Sequence, residues 1–233
     1  MPDRPWIGRF TWRDLLFAHW PVPARELRPN VPARMGIEEF DGTAWLGVVP
    51  FLMTDMRVRG LPPLPGLSRT LEINVRTYVS VDGASGVYFF SLDAASWPAI
   101  IGARLTYHLN YLHARMSLRQ DRGRIRYESR RIHRGVAPAE FRGTYEPAGA
   151  PFLSKPGSLE QWLTERYALF AADRRGRVFR GDIQHARWPL QTATAEFECN
   201  EMTGQLGVAL PAHKPLLHYA GVLDVLVWPP RAV

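Results

Sequence analysis

Lysine is almost missing from this chain of 233 residues: all but Lys155 and Lys214 of its 29 basic side chains are arginine. Any chemistry that needs an amine nucleophile therefore has only those two positions to use. Cysteine is scarcer still. Cys199 stands alone, which excludes an internal disulfide and suits a reducing cytoplasm. No stretch approaches the roughly 18 apolar residues of a membrane span, and the opening Met1-Pro2-Asp3-Arg4-Pro5-Trp6 has no apolar run behind its charges. Neither a span nor a signal peptide is expected, and the cytoplasm is the expected location. The chain also lacks a G-x-S-x-G elbow, a P-loop, a G-x-G-x-x-G after a strand and an H-E-x-x-H pair, which removes common hydrolase, nucleotide-binding and zinc-protease readings. Its seven histidines are scattered. His108 and His113 are five apart, as are His213 and His218, a spacing that suits no single helix or strand face, so neither a metal nor another cofactor is expected.

What is present is apolar and aromatic. A hydrophobic fraction of 46% with eight Trp and eleven Phe can fill a wide interior, and a single domain over 1–233 is expected. The clearest pattern runs from Leu71 to Asp93. Ile73, Val75, Thr77 and Val79 alternate with Glu72, Asn74, Arg76 and Tyr78, which places the two sets on opposite faces of a strand. A turn over Asp82 to Gly86 returns the chain through Val87–Asp93 as a hairpin. With that loop length Arg76 would oppose Ser91 and Asn74 would oppose Asp93, leaving Arg76 within reach of Asp93 or Glu72.

Elsewhere Thr11 and Asp14 resemble a capping box ahead of Leu15, Leu16, Phe17 and Trp20, predicting a short helix to about His19. A helical turn over Arg25–Arg28 follows Pro23. Met35–Phe40 and Ala44–Leu52 read as strands around Asp41-Gly42, and the Pro-rich 60–66 as a loop. Ser96 opens a helix from Trp97 to about Thr106, and Ser158 with Gln161 caps one to about Glu165. Strands are predicted over His113–Leu118 and Arg124–Ile132 as a hairpin around Asp121-Arg122-Gly123, over Phe141–Glu146, over Tyr167–Ala172 and Arg177–His185 as a hairpin around the turn Asp173–Gly176, and over the alternating Thr192–Cys199 and Val222–Trp228, with a loop over Pro147–Gly157. Many antiparallel strands with a few short helices indicate an α+β fold built on a curved, barrel-like sheet.

The formal charge of +7 raises an anionic partner, and Arg119–Arg134 is the one dense basic stretch. Arg124, Arg126 and Arg130 share a face with Glu128, while Tyr127, the only ring there, lies on the other, which does not suit a nucleic-acid surface. One of Arg130 and Arg131 must point inward.

Several runs together carry a resemblance: His19-Trp20-Pro21-Val22-Pro23, Phe40-Asp41-Gly42-Thr43-Ala44-Trp45-Leu46-Gly47-Val48-Val49-Pro50-Phe51, Glu72-Ile73-Asn74-Val75-Arg76-Thr77-Tyr78-Val79, Gly86-Val87-Tyr88-Phe89-Phe90-Ser91-Leu92-Asp93, Gly102-Ala103-Arg104, Tyr127-Glu128-Ser129-Arg130 and His185-Ala186-Arg187-Trp188-Pro189-Leu190. They resemble the YqjF-like family of uncharacterised bacterial proteins, which is similar in fold to acetoacetate decarboxylases. The resemblance implies a cone-like antiparallel β-barrel around a pocket. It also implies that the decarboxylases' Schiff-base lysine pair would fall within Gly102–Tyr111, where this chain has no lysine. Glu72 matches their acidic strand residue, and Arg76, Arg104, His108 and Arg130 would line the pocket.

A small-molecule-binding or catalytic barrel is thus expected, for a carboxylate or other acidic oxygen compound. Arg76, Glu72, Asn74, Tyr78, Arg104 and Arg130 are its expected binding residues, and Glu72 and His108 its acid-base candidates. The alternatives are a non-enzymatic protein using its basic surface on nucleic acid or an acidic partner, and a structural polar face in a pocket filled by its own aromatics. Oligomerisation is left open.

Overall fold

The computed structural model describes residues 2–63 and 68–233. Its strands are β1 (Gly8–Val22), β2 (Gly36–Ile37), β3 (Ala44–Val58), β4 (Thr70–Val81), β5 (Ala84–Ala94), β6 (Tyr111–Asp121) and β7 (Arg124–Arg131). They continue as β8 (Glu140–Phe152), β9 (Ala168–Ala172), β10 (Val178–His185), β11 (Leu190–Asn200), β12 (Leu216–Val227) and β13 (Arg231–Ala232). Short helices α1 (Ala24–Leu27), α2 (Trp97–Tyr107) and α3 (Leu159–Thr164) decorate them. At Ser158 the expected cap is made: its Oγ accepts from the Gln161 N–H at 3.3 Å.

Among the described residues the strands form one 13-stranded sheet, in the order β13-β10-β9-β5-β6-β7-β8-β11-β12-β1-β3-β4-β2. It is antiparallel except where β5 meets β6 and β9. Two further pairings, β4 with β5 and β10 with β12, close the sheet on itself twice. The result is two strand rings with a common wall made of β12, β1, β3, β4 and β5. The larger ring is completed by β6, β7, β8 and β11, the smaller by β9 and β10.

The larger ring is filled. Leu16, Trp20, Leu46, Val48, Ile73, Val75, Phe90, Tyr127, Phe141 and Tyr145 pack in its core. Buried hydroxyls there find carbonyls, as where Tyr127 donates to the Glu72 oxygen at 2.7 Å. The ring also buries a bidentate pair in which Arg131 Nε and Nη2 donate to Asp93 at 2.9 and 3.0 Å. Gln205 and the Ala137 carbonyl take further Arg131 protons. Arg131 is therefore the inward-pointing member of the Arg130–Arg131 pair, and Arg130 is exposed.

The common wall explains where local reading went wrong. Residues 11–19 form part of β1, not a helix. Leu15 to Trp20 are all buried because one side of the wall faces the filled core and the other the second ring, and such a two-sided apolar run has no period of two to read. Asp14, with φ 54°, is a bulge residue whose carbonyl accepts from the Tyr145 hydroxyl at 2.7 Å and whose Oδ1 accepts from Tyr219 at 2.6 Å. Asp55, φ 56°, accompanies a matching register shift in β3. Each shift exchanges the faces of the residues beyond it. β8 likewise runs through Pro147 to Phe152, where a loop was expected, because Pro147 and Ala148 pair with Ala193 and Thr192 of β11. The β4–β5 turn is tighter than expected: Asp82 and Gly83, with φ 49° and 78°, span it alone. A bulge beside Val75 then puts Arg76 opposite Phe89 and Ile73 opposite Asp93, so the expected Arg76–Ser91 and Asn74–Asp93 pairs do not form. Part of the expected 60–66 loop lies outside the described residues.

Candidate functional site

The smaller ring is hollow, and its cavity measures about 490 Å³. From β4, Thr70, Glu72, Asn74 and Arg76 line it, the even-numbered set whose odd-numbered neighbours fill the core. Their opposite numbers come from β1 and β3, where Trp12, Leu15 and Phe17 meet Val49, Phe51 and Met53 in one apolar cluster with Trp188. Val87, Phe89, Leu109, Leu169 and Ile183 form the facing wall. Pro98, Ala103, Thr106 and Tyr107 of α2 cover one side. The lining becomes exposed toward Val58 and Leu61, at 61% and 58%, which with Arg9 and Arg57 form the mouth.

The inner end is cationic. Arg76 Nη2 donates to the Leu163 carbonyl of α3 at 3.3 Å and approaches the Tyr78 hydroxyl at 3.4 Å, and its guanidinium lies 5.3 Å from the Phe17 ring centre. Gly47 opposes it on β3, where a Cβ would meet the His19 ring at 3.0 Å and Arg76 Cγ at 3.3 Å, so the glycine makes room for both. Among the described residues no carboxylate lies within salt-bridge distance of Arg76. The two acids expected beside it are engaged elsewhere, Asp93 by Arg131 and Glu72 by Tyr111, whose hydroxyl donates at 2.8 Å.

Arg166, from the segment after α3, also lines the cavity. Its Nη1 pairs with Glu38 and its Nε donates to the Trp162 carbonyl, both at 2.6 Å. His185, at the end of β10, donates from Nδ1 to the Ala186 carbonyl at 2.7 Å, which leaves Nε2 as the bare acceptor. Burial holds its pKa below the ordinary histidine value. Five buried polar atoms of lining residues have no hydrogen-bond partner among the described residues: the donors Trp12 Nε1, Arg76 Nε and Arg166 Nη2, and the acceptors Asn74 Oδ1 and His185 Nε2.

Glu72 sits midway along the cavity wall. Burial pushes its pKa from 4.5 to about 7, against the opposing hydrogen bonds of Tyr111 and Asn74 and with a smaller push from Asp93. A carboxyl poised there exchanges a proton near neutrality.

The other expected site residues lie apart. Tyr78 is fully buried behind Arg76, where its hydroxyl bridges His19 Nε2 and the Leu163 carbonyl, each at 2.7 Å. Arg104 is on the outer side of α2, 3.3 Å from His133 Nε2, because the helix turns its Pro98, Ala103 and Tyr107 face inward. His108 ends α2 at φ 54° and packs on Phe179. Arg130 faces outward on β7 because its neighbour Arg131 takes the inward position. Arg166, His185, Trp12 and Tyr111 also line the cavity without any local sequence signal that marks them as site residues, apart from the His185–Leu190 run that carries the family resemblance.

On the outer surface, the basic hairpin is matched by acids: Arg124 pairs with Glu196, and Arg126 with Glu128 and Glu198. No described helix is long and apolar enough to cross a membrane.

Comparison with known proteins agrees with this geometry. The chain overlays an acetoacetate decarboxylase from Legionella pneumophila with a TM-score of 0.69 at 14% identity, over 100% of this chain and 92% of that one. It overlays the enduracididine biosynthesis enzyme MppR in complex with pyruvate with a TM-score of 0.68 at 10% identity, covering 100% of this chain and 91% of that one. These likenesses establish an acetoacetate decarboxylase-like fold. The uncharacterized protein YqjF of Bacillus subtilis (strain 168) is 44% identical over 231 residues, 99% of this chain and 94% of that protein. The family model DUF2071, described as "Uncharacterized conserved protein (COG2071)", matches residues 9–224. With that match spanning nearly the whole fold, the chain belongs to the DUF2071 family and is a relative of YqjF.

Proposed function

We propose that the smaller ring is a small-molecule barrel for an organic acid, whose anionic group is held by Arg76 and Arg166 and whose protons are exchanged with Glu72. The observation that carries this reading is Arg76: a half-buried guanidinium lining a cavity, without a carboxylate partner among the described residues. A desolvated cation is costly unless paired, and the guanidinium fork matches a carboxylate in two-pronged geometry. The complexes of MppR with pyruvate and with the condensation product of pyruvate and imidazole 4-carboxaldehyde support a small acid as ligand.

Covalent amine catalysis is not the chemistry of this cavity. Neither Lys155 nor Lys214 lines it, and the segment where the decarboxylases' lysines would fall supplies Tyr107, Leu109 and Tyr111 instead. Glu72 is the group suited to proton transfer, with Tyr111 holding its carboxyl in place. Calorimetric titration with octanoate tests the binding reading. Wild type is expected to bind, and Arg76→Met to bind at least about tenfold more weakly, the factor that 1.4 kcal/mol represents. Equal affinities would remove the reading. Borohydride treatment with acetoacetate is expected to leave no covalent adduct, and an adduct on either lysine would overturn the acid-base assignment.

A further inference from the structure

The length and composition of the cavity reach beyond the presence of an anion site. Its volume of about 490 Å³ is some three times the ~150 Å³ cavity that takes one benzene ring, room for well over a dozen non-hydrogen atoms. Pyruvate and acetoacetate would leave most of it unfilled. The charged groups stand at the two ends and the middle. Arg76, Arg166 and His185 gather at the inner end, Glu72 lies midway, and Arg9 and Arg57 flank the mouth, whereas the stretch between Glu72 and the mouth runs past Trp12, Phe51, Met53, Phe10 and Met56. Trp12 lies flat on Trp188, 5.4 Å between ring centres and 8° apart, giving that path a smooth aromatic side. From Arg76 to Thr70 along β4 is about 20 Å at the usual strand rise. At the mouth the exposed side chains of Val58 and Leu61 extend this apolar path, beside Arg57 and beside Arg9, which is paired with Asp224.

Walls of this kind lose their dispersion contacts unless apolar matter occupies the space between them. A small hydrophilic acid would satisfy Arg76 and leave Phe51, Met53 and Met56 facing nothing that matches them. The occupant has to carry one anionic head and a long apolar body.

We infer that the cavity takes an amphipathic monocarboxylate of roughly eight or more carbons, of the fatty-acid or arylalkanoic class, with its head at Arg76 and its body along the Trp12–Phe51–Met53 wall toward Val58 and Leu61. This rests on the proposed function, because the head group is placed by Arg76. It adds that the energy of binding comes mostly from the body.

Calorimetry with straight-chain acids from acetate to dodecanoate, on wild type and on Arg76→Met, separates the two claims. Burying one methylene contributes about a fourfold gain in affinity, so affinity is expected to climb by that factor per carbon and level off once the chain reaches the mouth. Met53→Trp, which narrows the outer half of the cavity, is expected to bring the plateau to shorter chains, and a plateau at the wild-type length would overturn the path along this wall. A flat series that still depends on Arg76 would overturn this inference and leave the anion site standing. A rising series indifferent to Arg76→Met would overturn the proposed function, and with it the placement of the head. A rising series weakened by the same factor at every length in Arg76→Met supports both.

Discussion

Replacing Glu72 with glutamine should remove a pH dependence of stability that the cavity builds into the fold. The carboxyl is buried, and its pKa stands at about 7 in the folded chain against 4.5 when exposed. Between those two values the folded protein holds the proton and the unfolded chain has released it, so the unfolded state binds fewer protons and stability falls as pH rises. At 1.36 kcal/mol per pH unit, the stabilisation present below about pH 4.5 and lost by about pH 7 amounts to about 3 kcal/mol. Glutamine keeps an acceptor for the Tyr111 hydroxyl and imitates the protonated acid without titrating. Urea unfolding of both proteins between pH 5 and 8 is the assay. Other groups titrate as well: burial lowers His19, His185 and His218, which are common to both proteins and cancel in the difference, while the repulsion between Asp93 and ionised Glu72 is already part of the raised Glu72 value. Over that range wild type should lose about 2 to 3 kcal/mol relative to Glu72→Gln. Parallel stability curves would refute the reasoning and mean that Glu72 is ionised in the fold throughout, and so not poised for proton exchange at neutral pH.

Further consequences are open to measurement. Asp93→Ala strands the Arg131 guanidinium in the filled ring and should cost about 3–5 kcal/mol in urea unfolding, with octanoate affinity little changed. Asp14→Ala loses the hydrogen bond from Tyr219 and keeps the left-handed backbone at φ 54°, a loss of about 2 kcal/mol; Asp14→Gly should recover the backbone part and leave about half of it. Gly86→Ala should lower stability by about 1–3 kcal/mol, because its Cβ would lie 2.7 Å from the Ala168 carbonyl across β5 and β9.

How far the chain could be read without its structure is clearest along β4 and β1. In β4 the period of two separated Glu72, Asn74 and Arg76 from Ile73 and Val75, and the structure puts these sets on a cavity and a core. In β1 the same wall was invisible, since both faces are apolar and the bulge at Asp14 interrupts the alternation. The hairpins at Asp121–Gly123 and Asp173–Gly176 were legible from their turn residues because a turn is local chemistry. The gathering of Trp12, Tyr111, Arg166 and His185 around the same cavity as Arg76 was not, because it depends on ring closure through β9, β10 and β12, pairings between segments far apart in the chain. Arg104 and Arg130 show the same limit from the other side: their residue type suited an anion site, but the facing of a helix and a strand parity turned both outward.

A wall with an interior on each side makes register a two-way constraint. Deleting one residue before Glu72 would turn a carboxyl, an amide and a guanidinium into the packed core while sending Ile73 and Val75 to the cavity, so core packing and cavity lining would fail together. A point substitution has the opposite character, because neighbouring positions of β4 report to different rooms. The cavity lining is therefore adjustable at positions 70, 72, 74 and 76, with the fold's own packing carried by the residues between them. The bulges that follow Asp14 and Asp55 mark where that numbering changes over on β1 and β3, and any redesign of the pocket has to count from them.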